Sequence, residues 1–309
     1  MKLKCYFEFL MDVDLHHGDI LSTQNDVMTH ITSLMLYRTL KNQYKDIEIE
    51  PINTWHLSNG KCSHDKYHTA WFIIENPENK KYIAINLQCD KVEATLMWDL
   101  ENCIQLLTAA GVHSSDCTYT TSTKISYTPA TFTTWYKSAY SLIDEIYKRN
   151  VPKKIPDKLF FIGGSYLFRE WLYLNDDRFY MRPDKISRDL FIEELGNSSI
   201  NIDINGVAEV SCRTLDIMGM GSALIRPKLG IQYHNPLIPD YHYAQVYCDN
   251  LSDYNKLADA YISRFEDLKK DRDLVQFLSE NGRRWYEENA TIEAYIKIYT
   301  KLMNLYDLQ

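Results

Sequence analysis

Apolar residues alternate with polar ones at the start of the chain, at Leu3, Cys5, Phe7 and Phe9, and this period of two predicts a first strand from Met1 to Leu10. A polar loop, Asp12 to Asn25, follows. From Asp26 to Tyr44 the period lengthens, with Val27, Ile31, Leu34, Met35, Arg38 and Leu40 tracing the stripe of an amphipathic helix. Ile47 to Ile52 returns to strand pattern, and strand, helix, strand at this spacing predicts a parallel α/β start. Two apolar runs between Thr69 and Leu87 flank Asn76-Pro77-Glu78-Asn79, which reads as a hairpin or two adjacent strands. Leu100 to Ala110 is predicted as a helix with Gly111 as its C′ residue, Thr118 to Thr128 as strand or loop, and Phe132 to Tyr147 as an amphipathic helix.

The pattern breaks at Lys148-Arg149-Asn150-Val151-Pro152-Lys153-Lys154-Ile155-Pro156, where prolines and basic residues predict a linker. Alternation then restarts: LFFIGG (strand and turn), SYLFREWLYL (helix), FYMRP (strand), LFIEEL (helix), INIDI (strand), a short helix, ALIRP (strand) and AQVYCD (strand). Ser252 to Leu268, Leu274 to Leu278 and Thr291 to Leu308 are predicted helices. The expected fold is α/β, two Rossmann-like lobes facing a cleft, with ligands at the carboxyl ends of the strands. The expected division is 1–150 as an acceptor-side lobe, 151–290 as a ligand-binding lobe, and 291–309 as a helix crossing back to the first.

Asn201 to Pro227 reads as strand, glycine turn, helix, glycine turn, strand, a βαβ-type unit. Glu209, Arg213 and Asp216 fall within roughly 60° of one another on a helix. A cation and two carboxylates on one face grip a phosphate and a sugar hydroxyl, or salt-bridge in water. Gly206 before the helix lets backbone N–H groups approach a diphosphate. Gly163 and Gly164 close the strand Leu159 to Ile162 and open a helix carrying Arg169, a second anion-binding pattern.

In the loop after the first strand, His17 or Asp19 is the candidate base for an acceptor hydroxyl, with His16 beside them. Asp12-Val13-Asp14 has the form of a metal-holding DxD but comes too early in the chain for that role. Cys62, His64 and His68 lack a fourth partner for zinc, and His56 and His113 have no partner in sequence. No metal and no cofactor is expected. The loop Tyr233 to Tyr243, stiffened by Pro236 and Pro239, offers His242 and Tyr243 to a base or a sugar. Arg178, Arg182, Lys185 and Arg188 read as a solvated basic surface.

Composition narrows the partners. The 309 residues carry a net charge of −8, against a broadly basic nucleic-acid-coating surface. No apolar run reaches the roughly 20 residues of a membrane span. The N-terminus lacks a small-residue cleavage site, so it is read as a strand and not a signal peptide. Seven scattered cysteines without a CxxC fit reduced thiols, hence a cytoplasmic location. The 23 tyrosines suit sugar platforms, and an A+T-rich genome raises Tyr equally well.

The order of LFFIGGSYLFRE, INIDINGVAEVSCRTLDIMGMGSALIRP, HNPLIPDYHYAQV, NLSDYNKLADAY and NGRRWYEENAT resembles the C-terminal half of GT-B glycosyltransferases, over roughly residues 158–291. The group it looks like is the family-1-type, capsule-associated or protein O-glucosyltransferase-like enzymes. The resemblance implies a sugar-nucleotide site in the second lobe, with Arg213 near phosphates and Asp216 near the ribose or sugar. It implies metal-independent hexosyl or pentosyl transfer to a hydroxyl of a glycan or small molecule. One departure bears on stereochemistry: such retaining enzymes carry two glutamates separated by seven residues, whereas here Glu209 is followed by Asp216. Two alternatives stand beside this reading: a phage-type transferase acting on a hydroxymethyl-pyrimidine base in DNA, and a catalytically silent GT-B-like binding protein.

Overall fold

The computed structural model describes residues 1–7, 28–53, 71–86, 100–108, 124–127, 137–149, 152–163, 167–182, 186–204, 212–229 and 234–309. The chain is mixed α/β and divides into two compact units. The first gathers Met1–Lys137, Ile231–Asn235 and Asn289–Gln309; the second holds Ser138–Gly230 and Pro236–Glu288.

The first unit is built on a six-stranded sheet. Its strands are β1 (Lys2–Phe7), β2 (Glu48–Asn53), β3 (Trp71–Glu75), β4 (Tyr82–Asn86), β5 (Cys103–Thr108) and β6 (Lys124–Tyr127), in the order β2-β1-β3-β4-β5-β6. β1 runs parallel to β2, β3 is antiparallel to β1 and β4, and β4, β5 and β6 are parallel. The period of two decides the faces. Leu3, Cys5 and Phe7 are fully buried, and Phe7 meets Tyr37 of α1 (Met28–Gln43) and Phe72 of β3 at 5.5 Å each. Ile73, Tyr82, Ala84, Cys103 and Leu106 form a cluster of their own. Burying such a side chain contributes about 1.5–3 kcal/mol.

One sequence expectation fails here. Leu100 to Ala110 is not a helix: a 3-10 turn at Leu100–Asn102 leads straight into β5. The run Cys103 to Leu107 lies between two parallel neighbours with Cys103, Gln105, Leu106 and Leu107 all buried. A strand covered on both faces loses its alternation, and a short apolar run has no period to distinguish it from a helix.

The C-terminal end completes the first unit. α8 (Ile292–Leu302) packs on α1. Side chains of the hairpin, β5 and the end of α1 then hold the residues after it. Asn76 and Asn79 donate to Leu308 O at 2.8 and 3.0 Å, Gln105 to Leu302 O at 3.0 Å, and Tyr44 to Met303 O at 3.2 Å.

The second unit is built on two parallel sheets, of three and two strands, with helices. Its elements in chain order are α2 (Lys137–Lys148), β7 (Leu159–Ile162), α3 (Phe168–Asn175), β8 (Phe179–Arg182), α4 (Arg188–Gly196), β9 (Ile200–Ile202), α5 (Cys212–Gly219), β10 (Ala223–Pro227), β11 (Ala244–Val246), α6 (Tyr254–Lys270) and α7 (Arg272–Asn289). β7 pairs with β8, β10 pairs with β9 and β11, every pair is parallel, and β7 packs beside β9. Ile200, Ile202, Ala223, Ile225, Ala244 and Val246 join Phe168 and Leu172 of α3 and Leu257, Tyr261 and Phe265 of α6 in one core. The alternate positions, Leu224 and Arg226 among them, face the other way, toward α5.

The proline-rich segment read as a linker lies inside this unit. Lys154 bridges Asn197 and Ser199 by main-chain hydrogen bonds, and the Lys153 amine donates to Met220 O and to Ser222 Oγ, the latter at 2.7 Å. Burial pushes that amine down to about 8. α2 belongs to the same unit, where Arg283 of α7 donates to Asp144 at 2.9 Å and to Gly219 O.

Candidate functional site

The second unit has two parallel sheets, β8-β7 and β9-β10-β11, and β7 packs beside β9, so the strands lie side by side in the order β8-β7-β9-β10-β11 without a ladder between β7 and β9. From β7 the chain steps outward to β8. From β9 it steps the opposite way to β10 and β11. The carboxyl ends of β7 and β9 therefore flank the point where the order reverses, the place where open parallel sheets leave a crevice for ligands. The residues at those ends are Gly163 after β7, and Asp203 and Ile204 after β9.

Two arginines reach this point from two helices. Arg169, second residue of α3, donates to Ile204 O at 2.5 Å; Arg213, second residue of α5, donates to Ile162 O. Each helix thus straps itself to the end of the other's strand. Both guanidiniums lie over the ring of Phe161, Arg213 at 3.8 Å and Arg169 at 4.7 Å from its centroid, and Arg213 is also 5.3 Å from the Phe191 ring. Both arginines are buried, each 8% exposed. Gly163 makes the arrangement fit. A β-carbon there would stand 2.8 Å from the Arg213 guanidinium and 3.1 Å from Phe161. Two cations on one ring, each in the first turn of a helix whose dipole is positive at that end, raise a potential that an anion relieves.

Beneath Arg213 lies a buried ionic cluster. Asp203, Thr214 and Arg226 have no exposed surface. Thr214 donates its hydroxyl to Asp203 Oδ2 and accepts from Arg226 at 2.7 Å, and Arg226 lies 3.4 Å from the same carboxylate oxygen. Arg213 ion-pairs with the other oxygen at 3.8 Å. The main chain of Asp203 is held too: its N–H donates to Ile225 O at 3.0 Å, and its carbonyl accepts from Tyr261 at 2.9 Å. Burial of this kind is tolerated only where charges meet partners.

The sequence candidates thus divide. The structure brings Gly163, Arg169 and Arg213 together. Asp216 is fully buried on α5, one turn from Arg213, so the helix carries no solvated charge stripe at these two positions. Tyr243 is fully buried, with Arg226 among the charges acting on its phenol, which burial holds above its usual range. His242 lies in the preceding loop, where its Nδ1 accepts the Ile238 N–H at 2.8 Å; burial pushes the imidazole down to about 4. Gly164, Gly206, Glu209, His17 and Asp19 lie outside the described residues, as do Asp12, Asp14, Cys62, His64 and His68. Of the basic surface group, Arg178 pairs with Asp176 and Asp259, each at 2.7 Å, and Arg182 with Glu194 at 3.1 Å. Asp203, Thr214 and Arg226 are the site residues that the sequence reading missed. The signal of Asp203 and Arg226 is a charged residue at the carboxyl end of a strongly apolar run, in INIDI and in ALIRP; Thr214 has no such signal.

Among the described residues no three His, Cys, Asp or Glu side chains cluster to hold a metal ion, and no helix is long and apolar enough to cross a membrane. The sequence matches no protein-family model and no curated protein. Among solved structures the chain is similar to the pneumococcal O-GlcNAc transferase GtfA in complex with UDP and GlcNAc, with 11% identity and a TM-score of 0.41. The likeness covers 65% of this chain and 45% of that one, so the chain spans under half the length of this neighbour.

Proposed function

We propose that this chain is a glycosyltransferase that holds a nucleotide-diphosphate sugar at the strand ends of its second unit and passes the sugar to a hydroxyl of a glycan or small molecule. The observation that carries the reading is the meeting of Arg169 and Arg213 over Phe161 at the reversal of strand order. In glycosyl transfer the leaving diphosphate gathers negative charge as the bond to the sugar breaks. Fixed donors aimed at that charge need no reorganisation, and two guanidiniums anchored to main-chain carbonyls meet that requirement. They supply the charge a metal would otherwise bring, so the reaction is read as metal-independent.

The other residues take roles around this centre. Gly163, Gly164 and Gly206 let the backbone approach the phosphates. Glu209 accepts from ribose or sugar hydroxyls, while Asp216, which has no exposed surface, supports the helix that carries Arg213 from within the fold. Tyr243 and His242 hold Arg226 and the neighbouring loop beside the site. If the reaction inverts the anomeric centre, Asp19 or His17 takes the proton of the acceptor hydroxyl. A DNA acceptor fits poorly with a net charge of −8.

A panel of sugar nucleotides tests the reading by thermal stabilisation. A donor present at about 100 times its Kd should add about 2.7 kcal/mol of stability. Arg213→Ala should abolish the shift, and EDTA should leave transfer unchanged. Indifference of the protein to every donor would sink the proposal.

A further inference from the structure

Arg226 never reaches the surface, yet three groups at the site hold it. Its Nη1 lies 2.7 Å from Thr214 Oγ1 and 3.4 Å from Asp203 Oδ2, and its Nε donates to Pro227 O at 3.3 Å. Asp203 therefore stands between two cations, with Arg226 nearer and tied to it through Thr214, and Arg213 farther away at 3.8 Å. Thr214 follows Arg213 on α5, so the same bridge also fixes the helical turn from which Arg213 projects.

We propose that Arg226 is a positioning residue: it neutralises Asp203 and so leaves the charge of Arg213 to a bound phosphate. This rests on the reading of the site as a diphosphate site. Without Arg226, the carboxylate of Asp203 has Arg213 as its nearest cationic partner across the cluster. The pair would close from 3.8 Å toward hydrogen-bonding distance, and an incoming phosphate would have to compete with an internal anion. Arg226 itself touches no ligand, since it has no exposed surface.

The mechanism makes a prediction that a purely structural role does not. Arg226→Met should weaken binding of a nucleoside diphosphate and of inorganic pyrophosphate about tenfold or more by calorimetry. Adding Asp203→Asn to that variant removes the competing charge and should recover most of the lost affinity. A residue that only supports the fold would lower the binding stoichiometry with the folded fraction and leave the Kd of the folded protein unchanged, and that outcome overturns the proposal, as does a double variant no better than the single one or an Arg226→Met protein that binds like the parent. If Arg226→Met fails to fold, the double variant with its neutral pair decides. Affinity within about threefold of the parent supports the mechanism. Loss as deep as that of Arg213→Ala overturns it. If the parent protein binds neither nucleoside diphosphate nor pyrophosphate, the proposed function itself fails and Arg226 has no phosphate to serve; if the parent binds and the rescue fails, only the role of Arg226 is lost.

Discussion

An arginine in the first turn of a helix works against the helix dipole, and the described helices place one there at Arg169, Arg188, Arg213 and Arg272; Arg169 and Arg213 are the two that are buried and meet over one ring, that of Phe161. A local preference broken twice at one point in space is the mark of a site. Gly163 shows how little room the arrangement has. Gly163→Ala would push its β-carbon into the Arg213 guanidinium. The guanidinium is the far end of a flexible side chain, so it can swing aside at small cost to the fold. The expected result is a protein of nearly unchanged melting temperature whose pyrophosphate affinity falls about tenfold, read by paired melting and titration; a variant that binds like the parent would separate Gly163 from the site. The arginines were legible as types and spacing, because the strand-glycine-helix pattern puts them near strand ends. Their burial was not legible. Charge reads as solvent exposure, and nothing local in CRTLD shows that a second cation and a carboxylate lie underneath. Asp203 and Arg226 were hidden for the complementary reason: each is a single charge in an apolar run, and only the tertiary pairing of β9 with β10 makes them partners.

At the scale of elements, alternation was readable wherever a strand has two different faces, as in β1, and unreadable in β5, where both faces are covered. The hairpin β3–β4 was readable from its Asn-Pro-Glu-Asn turn, where Asn76 Oδ1 accepts the Glu78 N–H at 3.0 Å. The loop before β11 carries a second kind of information, a dependence on pH. His242 Nδ1 accepts a main-chain N–H, so the folded loop requires the neutral imidazole. Its folded pKa, about 4, lies below the ordinary value of 6.5. Between those values the unfolded chain binds a proton that the folded chain refuses, so stability is present above pH 6.5 and is lost as the pH falls toward 4. The loss should reach about 2 kcal/mol at pH 4.5. His242→Asn keeps an acceptor for Ile238 and cannot titrate. Urea unfolding at pH 7 and 4.5 should show a smaller difference for the variant than for the parent; equal differences would mean that other groups carry the acid limb.

At the scale of the molecule, the two units are assembled differently from the chain, and that difference makes the proposed anion site separable from the rest. The first unit draws on three separate stretches, and its hairpin, β5 and Tyr44 just after α1 are tied to main-chain carbonyls of residues 302–308. It cannot complete its core until residues 289–309 have been made. The second unit is nearly continuous, interrupted only by Ile231–Asn235, and contains every described residue of the arginine site, from Phe161 to Tyr261. A fragment of residues 138–288 should therefore melt cooperatively and keep the pyrophosphate response of the whole chain, including its loss in Arg213→Ala. A fragment of residues 1–137 lacks α8 and the tail that Asn76 and Tyr44 hold, and should show weak near-ultraviolet circular dichroism and no cooperative melt. If the proposed transfer inverts the anomeric centre, it needs the candidate base Asp19 or His17, which the 138–288 fragment lacks, and the fragment should then bind donor without transferring the sugar. A 138–288 fragment that folds but ignores pyrophosphate, beside a full chain that binds it, would move the anion site out of the second unit, and the roles given to Arg169, Arg213 and Arg226 would go with it.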